Sequence, residues 1–528
     1  MNDSDNQVDL PLFSSSADKL LVLCEEVMRA TPDSAKRFIE PAPGVLARAK
    51  SKQHNIIFGR RGSGKSSLLR KVAADLTVDR RPLAFVDMET FKGHSYPDVL
   101  ISVLIKSLHE FRKWLETAAT TPASKTSLWK RLFGTTPTRP PFNRQKTASV
   151  TAKLSQLISD LESQLAAPES AAIVTKDSKH HEKGNKMSGT GTVSAPHVQI
   201  AASGQKEETL GESSEEQRTY VSHKVEYLHQ RIIEFQNFFQ ELSTLSDGPS
   251  FLILDDLYHI RREDQARVID YFHRVAKGHG MWLKVGTIKH RSEWYRHSDP
   301  PIGMKLGDDA KEINLDISLE KFETLRQFLR TILGSLLAET PPLGWRDMIN
   351  PTALDRLIIA SGGVTRDFIG IFSNSITQAR NRGAQHYRGP KVGAEDVNLA
   401  TGDYDSLKRE EFKLDSAEDR ATLEHAFEDL TSFCTLKSKC NVFLIPQKLT
   451  GQVRESIDQL IDLRLVHPVK SRVTLKAGAV GELFEAYMLD LSQYIGARKV
   501  RDFAIVDLSA SGKDEEIRKA SLIYARAE

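Results

Sequence analysis

The run Phe58–Leu69, FGRRGSGKSSLL, places Gly59, Gly64, Lys65 and Ser66 at the fixed positions of a G-x-x-x-x-G-K-[ST] pattern. Upstream, HNIIF is a short apolar run of the buried-strand kind; downstream, SSLLRKVAADL has helical periodicity. Strand, loop and helix in that order define a phosphate-binding loop, whereas a glycine turn matching by accident would lack such flanks. Gly59, Arg60, Arg61, Gly62, Ser63, Gly64, Lys65, Ser66 and Ser67 are the expected cradle. Its glycines let backbone N–H groups curl around a β-phosphate, and the following helix adds a favourable dipole. The Lys65 ammonium is expected to reach the β- and γ-phosphates, and the Ser66 hydroxyl to ligate Mg²⁺. ATP with Mg²⁺ is the expected ligand.

Working outward, PSFLILDDLYHI is an uninterrupted apolar strand that ends in two acids, the Walker B pattern. Asp255 is expected to hold the metal shell, and Asp256 to orient or deprotonate the attacking water. The plainer alternative, two aspartates that merely form a loop, is weakened by the phosphate loop upstream. MWLKVGTIKHR reads as a further strand whose tip would sit between the two Walker elements. It offers Thr287 and Lys289 to the γ-phosphate or its water; an ordinary strand end with a basic loop is the alternative. RPLAFVDMET is another buried strand, ending in Asp87 and Glu89, and could also be interposed between the Walker strands. Alternating strands and helices predict an α/β P-loop NTPase core with a parallel sheet covered by helices.

At 528 residues and 40% hydrophobic content the chain can bury two or three cores. The net charge of +3 makes no case for nucleic acid by itself. Cys24, Cys434 and Cys440 lack metal-ligand spacing and suit a reducing compartment. The polar N-terminus has no signal-peptide pattern, and no run approaches membrane-span length, so a soluble cytoplasmic protein without membrane association is expected. Residues 117–217 are rich in Thr, Ser, Ala, Pro, Lys and Gly and read as an inserted, partly disordered excursion. Within it only ASVTAKLSQLISDLESQL is helical in period, and His180, His181 and His197 read as solvated loop residues rather than metal ligands.

GRRGSGKSS, FLILDD and LKVGTIKHR, with LEKFETLRQFLRTIL, IIASGGVTRDFIGIF and KVGAEDVNLA, resemble the AAA+ and STAND group of P-loop ATPases, particularly the origin-recognition-like branch. The resemblance covers residues 20–400 outside the insertion. It implies a helical lid after the core, with Arg366 in SGGVTRD as the lid arginine that reads the γ-phosphate and couples hydrolysis to lid rotation. A surface arginine at a helix start is the other reading of Arg366. The resemblance also implies side-by-side homo-oligomers in which a neighbour inserts an arginine, for which Arg291 and Arg296 are the candidates. The chain departs from the usual Asp-Glu ending with Asp255-Asp256, nearer to STAND switches, which favours slow turnover over continuous motor action.

The expected domains are a helical lead-in (1–50), the ATPase core (51–317), the lid (318–412) and a winged-helix-like domain (413–528). In the last, DRATLEHAFEDLTSF reads as a helix and CNVFLIP as a strand. A helix capped by Thr450 then carries Val453, Ile457, Leu460, Ile461 and Leu463 on one stripe, and LVHPV with RVTLK forms a wing hairpin. Lys470, Arg472 and Lys476 could touch DNA phosphates, while Glu455, Asp458 and Asp462 on the helix speak for a protein partner. GELFEAYMLDLSQYIGARKV reads as a final amphipathic helix. The resulting expectation is an ATP-hydrolysing switch acting on DNA or a protein partner, in replication, mobile-element or antiviral defence processes. The alternative is a nucleotide-binding sensor or scaffold with little hydrolysis; a small-molecule kinase lacks an acceptor motif.

Overall fold

The computed structural model describes residues 11–120, 142–167, 223–382, 389–415, 420–475, 482–495, 501–510 and 512–524. Five strands, β1 (Asn55–Phe58), β2 (Leu83–Asp87), β3 (Ser250–Asp255), β4 (Met281–Thr287) and β7 (Lys311–Asn314), form one parallel sheet in the order β2-β3-β4-β1-β7. A small antiparallel ribbon, β5 (Tyr295–Arg296) with β6 (Ile302–Gly303), interrupts the path from β4 to β7. The strand between the two Walker strands is therefore β4, and β2 lies outside β3 at the sheet edge. LAFVDM does not occupy the interposed place.

Alternate residues feed two cores. Ile56, Phe58, Leu252 and Leu254 face one side, where α4 (Asp98–Thr120), α6 (Ile232–Ser246) and α7 (Arg262–Ala276) cover the sheet. Ile57, Phe251 and Ile253 face the other, against α2 (Val45–Ala49) and α3 (Lys65–Val78). Helix α5 (Arg144–Ala166) holds ASVTAKLSQLISDLESQL and buries Val150, Leu154, Leu157, Ile158 and Leu161 in the first of these cores. This part of the expected excursion is thus structural, because a helix with a full apolar stripe has a flank of α4 and α6 to cover. Residues 121–141 and 168–222, with His180, His181 and His197, lie outside the described residues.

The lid comprises α8 (Phe322–Ala338), α9 (Pro351–Ala360), α10 (Thr365–Asn381) and α11 (Ala394–Asp415). Its apolar faces share one continuous core with the N-terminal helix α1 (Ser15–Val27) and with the C-terminal domain. That domain contains α12 (Arg420–Ser432), β8 (Val442–Pro446), α13 (Gln452–Asp462), β9 (Val466–Val473) and β10 (Phe484–Leu489). Its three strands form an antiparallel sheet in the order β8-β10-β9, and with the helices they give a winged-helix-like arrangement.

Four expectations for the C-terminal domain are corrected here: the wing hairpin, the final helix, the Thr450 cap and the burial of Val453. Val466–Val473 is one strand, β9, which takes in most of LVHPV and the start of RVTLK (Lys476 lies outside the described residues), and the partner strand β10 comes from FEAYML, which reads as helix by periodicity. As the central strand β10 is buried on both faces, so its apolar run has no strand-like alternation, and irregular register against β9 absorbs Pro468. Gly451 rather than Thr450 caps α13, without a side-chain bond, and Val453 is exposed while Ile457, Leu460 and Ile461 are buried. Among the described residues no helix is long and apolar enough to cross a membrane.

Candidate nucleotide site

Parallel pairing brings the C-terminal ends of the strands to one edge of the sheet. Phe58 stands beside Thr287 and Asp87 beside Asp255. The phosphate loop leaves β1 at this edge, and Gly62 and Gly64 adopt left-handed conformations, φ +82° and +96°, that allow it to curl before α3. The cleft above the loop is lined by Arg61, Gly62, Gly64, Lys65, Ser66, Ser67, Glu89, Asp256, Tyr258, His259, Thr365 and Arg366, and by Val27, Met28, Ala30 and Ile369. Five elements distant in sequence thus meet there: the loop, the β2 end, the β3 end, the segment after α1, and the start of lid helix α10.

Lys65 is 4% exposed, and its Nζ donates to the carbonyls of Gly59 (2.9 Å) and Arg60 (3.2 Å). Burial lowers its pKa, opposed by the carboxylates of Asp256 and Asp255. Asp255 is 3% exposed, and its Oδ1 has no hydrogen-bond partner. Burial and then the neighbouring Asp256 push its carboxyl up to about 7, against the pull of a hydrogen bond from Ser66 and of Lys65. A buried carboxylate with one oxygen unpartnered, joined to a serine hydroxyl, fits a hard divalent cation, which takes oxygen ligands. Ser66 and Asp255 are the residues that would hold it. Asp256, left-handed at φ +54°, turns its carboxylate into the cleft.

Arg366 lines the same cleft: its backbone N–H donates to Gly62 O (3.1 Å) and its Nε to Met28 O (3.2 Å). The lid arginine and the phosphate loop are brought together. Thr287 is fully buried at the β4 tip, with its hydroxyl hydrogen-bonded to Ser292. Lys289 is half-exposed, 3.5 Å from Glu312, and does not line the cleft. Arg291 lies over the ring of Tyr258 at the cleft margin, whereas Arg296 pairs with Glu293 at 2.9 Å. Ser63 and Gly59 shape the loop, since a Cβ on Gly59 would fall 2.2 Å from Ser63 Oγ.

Arg60 differs most from the cradle role expected of it. Its side chain is buried beneath the loop, donating to Gly362 O (2.9 Å) and Asp316 Oδ1 (3.3 Å), and does not line the cleft. The reason lies far along the chain: both carboxylate oxygens of Asp316, just past β7, also accept its backbone N–H.

Sequence reasoning missed Tyr258, His259 and the segment after α1, and it noted Glu89 only as a strand end. It also missed an apolar cavity beside the phosphate cleft, lined by Phe38, Ile39, Pro41, Leu315, Phe328 and Leu336, which shares Gly64, Ser67 and Thr365 with it. Glu89 carried a readable signal, an acid closing an apolar strand; the apolar cavity carried none, because its walls come from six separate segments. Among the described residues no group of His, Cys, Asp and Glu could by itself hold a metal ion.

No protein-family model matches the sequence, and no curated protein matches it. Among solved structures, the Orc1 protein of Aeropyrum pernix in complex with DNA is similar over 89% of this chain and 93% of that chain, with 12% identity and a TM-score of 0.33.

Proposed function

We propose that the chain binds ATP with Mg²⁺ between the phosphate loop and the lid and hydrolyses it slowly, as a switch rather than a motor. The observation that carries this reading is the buried Asp255 at the end of the central strands, which keeps one oxygen unpartnered while its carboxyl bonds Ser66 and feels Lys65. The apolar cavity next to it has the character expected of a base pocket. Lys65 neutralises phosphate charge, Ser66 and Asp255 hold the cation, and Asp256 orients water from the cleft wall. Arg366, bonded to the loop itself, couples lid position to the phosphates.

The output of the switch is proposed to be a protein or DNA contact made through the C-terminal domain, in an assembly of several copies. His290 N–H donates to Asp462 (3.2 Å), and its ring lies 3.6 Å from Asp458, so the acids of α13 face the loop after β4. That arrangement favours a contact made by the β9–β10 wing over insertion of α13 into a groove. Lys65→Ala tests the central assignment: charge-assisted contacts contribute on the order of 1.5–3 kcal/mol, so ATP affinity should fall tenfold or more. Unchanged affinity by calorimetry in the folded variant would remove the nucleotide site from this cleft.

A further inference from the structure

Arg60 has two ends, and they face different domains. Its carbonyl accepts from Lys65 Nζ at 3.2 Å, inside the phosphate loop. Its guanidinium reaches His467, at the start of β9, with Nη1 at 3.4 Å from Nδ1. Because a guanidinium only donates, Nδ1 must accept, and the ring proton sits on Nε2, which donates to Asp490 at 2.8 Å. Both Asp490 and His467 are fully buried, and Lys408 of the lid donates to the same Asp490 oxygen at 2.7 Å. Each polar atom of the imidazole is therefore committed, and its orientation is set.

The lid is shaped around this contact. Gly362, at φ +54°, closes the turn before α10, and a Cβ there would lie 2.0 Å from His467 Nδ1. Only glycine lets the ring approach while the Gly362 carbonyl accepts from Arg60 Nη2. The first glycine of SGGVTRD is accordingly explained by an inter-domain contact, one turn before the residue that lines the cleft.

We propose that His467 is a positioning residue of the nucleotide site, holding the phosphate loop in its binding shape through Arg60. The C-terminal domain completes the site without touching the ligand. This rests on the nucleotide-binding reading above. Whatever displaces His467, such as a partner docking on the C-terminal domain, must then alter nucleotide affinity, and nucleotide must alter that docking by the same factor.

The test uses the full chain, a non-hydrolysed MgATP analogue, and two substitutions that divide the imidazole. His467→Gln keeps a donor toward Asp490 but withdraws the acceptor facing Arg60; His467→Asn keeps an acceptor near the Nδ1 position. His467→Gln should weaken the analogue about threefold to tenfold, the net effect of one buried hydrogen bond. It should also speed amide exchange in residues 59–66, with His467→Asn closer to the parent in both. In an Arg60→Lys background His467→Gln should add little, since the two act through one bond. A folded His467→Gln chain with parental affinity and parental loop exchange overturns the proposal, as does full additivity with Arg60→Lys. If His467→Gln does not fold, Arg60→Lys alone decides, by the same two readouts. If the parental chain binds no nucleotide, the proposed function fails, and loop exchange in the same variants still decides the positioning role.

Discussion

Two buried aspartates, Asp255 at the nucleotide cleft and Asp490 at the domain junction, lie near a buried lysine but end in opposite electrostatic states. Asp490 accepts from Lys408, from His467, and from the backbone and hydroxyl of Ser492. Burial alone would raise its pKa, but Lys408 and His467 outweigh it and hold the carboxyl well below the usual range. Asp255 has Lys65 nearby, yet that ammonium donates to loop carbonyls, and a second acid stands next in sequence. Its carboxyl rises instead to about 7. A saturated cluster is a structural joint, while an unsaturated one is suited to bind something cationic.

The largest expected effect breaks the saturated cluster. Lys408→Met should destabilise the chain by about 3–5 kcal/mol in denaturant unfolding, because it leaves Asp490 buried without its lysine and Asp367 with Arg464 as its remaining cation. A loss within the range of an ordinary surface substitution would show that the junction is not held by this network.

Asp255→Asn should act in the opposite direction. Burial raises the Asp255 carboxyl to about 7 in the folded chain, against an ordinary aspartate value of 3.8, so in the parent stability falls as pH rises between those values. The variant removes this slope, so its advantage should grow with pH and be complete above about pH 7, at no more than about 4 kcal/mol. Melting temperatures at about pH 5 and about pH 8 measure the difference. The same substitution should abolish Mg²⁺-dependent nucleotide affinity, which in the parent should strengthen as pH rises through about 7, because the metal requires the ionised carboxylate. A variant less stable than the parent at high pH would overturn the contrast between the two aspartates.

The smallest effect belongs to exposed charge. Lys470 pairs with Asp514 at 2.7 Å in a solvated groove that Arg472 and Arg518 also line. Replacing Lys470 and Arg472 with alanine should change stability by less than about 1 kcal/mol. It should flatten the salt dependence of duplex binding by up to about two phosphate contacts, read by fluorescence anisotropy. A slope that survives would place any DNA surface outside the wing.

The legibility of these regions follows the range of the interactions involved. The phosphate loop was readable because strand, loop and helix are contiguous, and steric demands at Gly62 and Gly64 act within a few residues. Arg366 was singled out by the resemblance of SGGVTRD to an AAA+ lid turn, and the structure has it lining the cleft. Helix α5 gave its period but not its place, because only the flank offered by α4 and α6 shows that Leu154 and Leu157 are core. FEAYML reads as helix, and only pairing with β8 and β9, which buries it on both faces, makes it a strand. Arg60 sits within the phosphate-loop motif yet serves the domain junction, because Asp316, Gly362 and His467 reach it from far along the chain.

The amino-acid sequence alone determined the phosphate loop and the acids that close β3, because each depends on neighbours a few positions away; the lid and its arginine were expected only from the family resemblance. Tertiary structure decided which strand separates the Walker strands, which apolar segments wall the second cavity, and which buried charges are satisfied. Those outcomes depend on what burial brings within about 3–4 Å of a charged atom, where the low local dielectric makes a present or missing partner count for several kcal/mol. No local pattern records that distance.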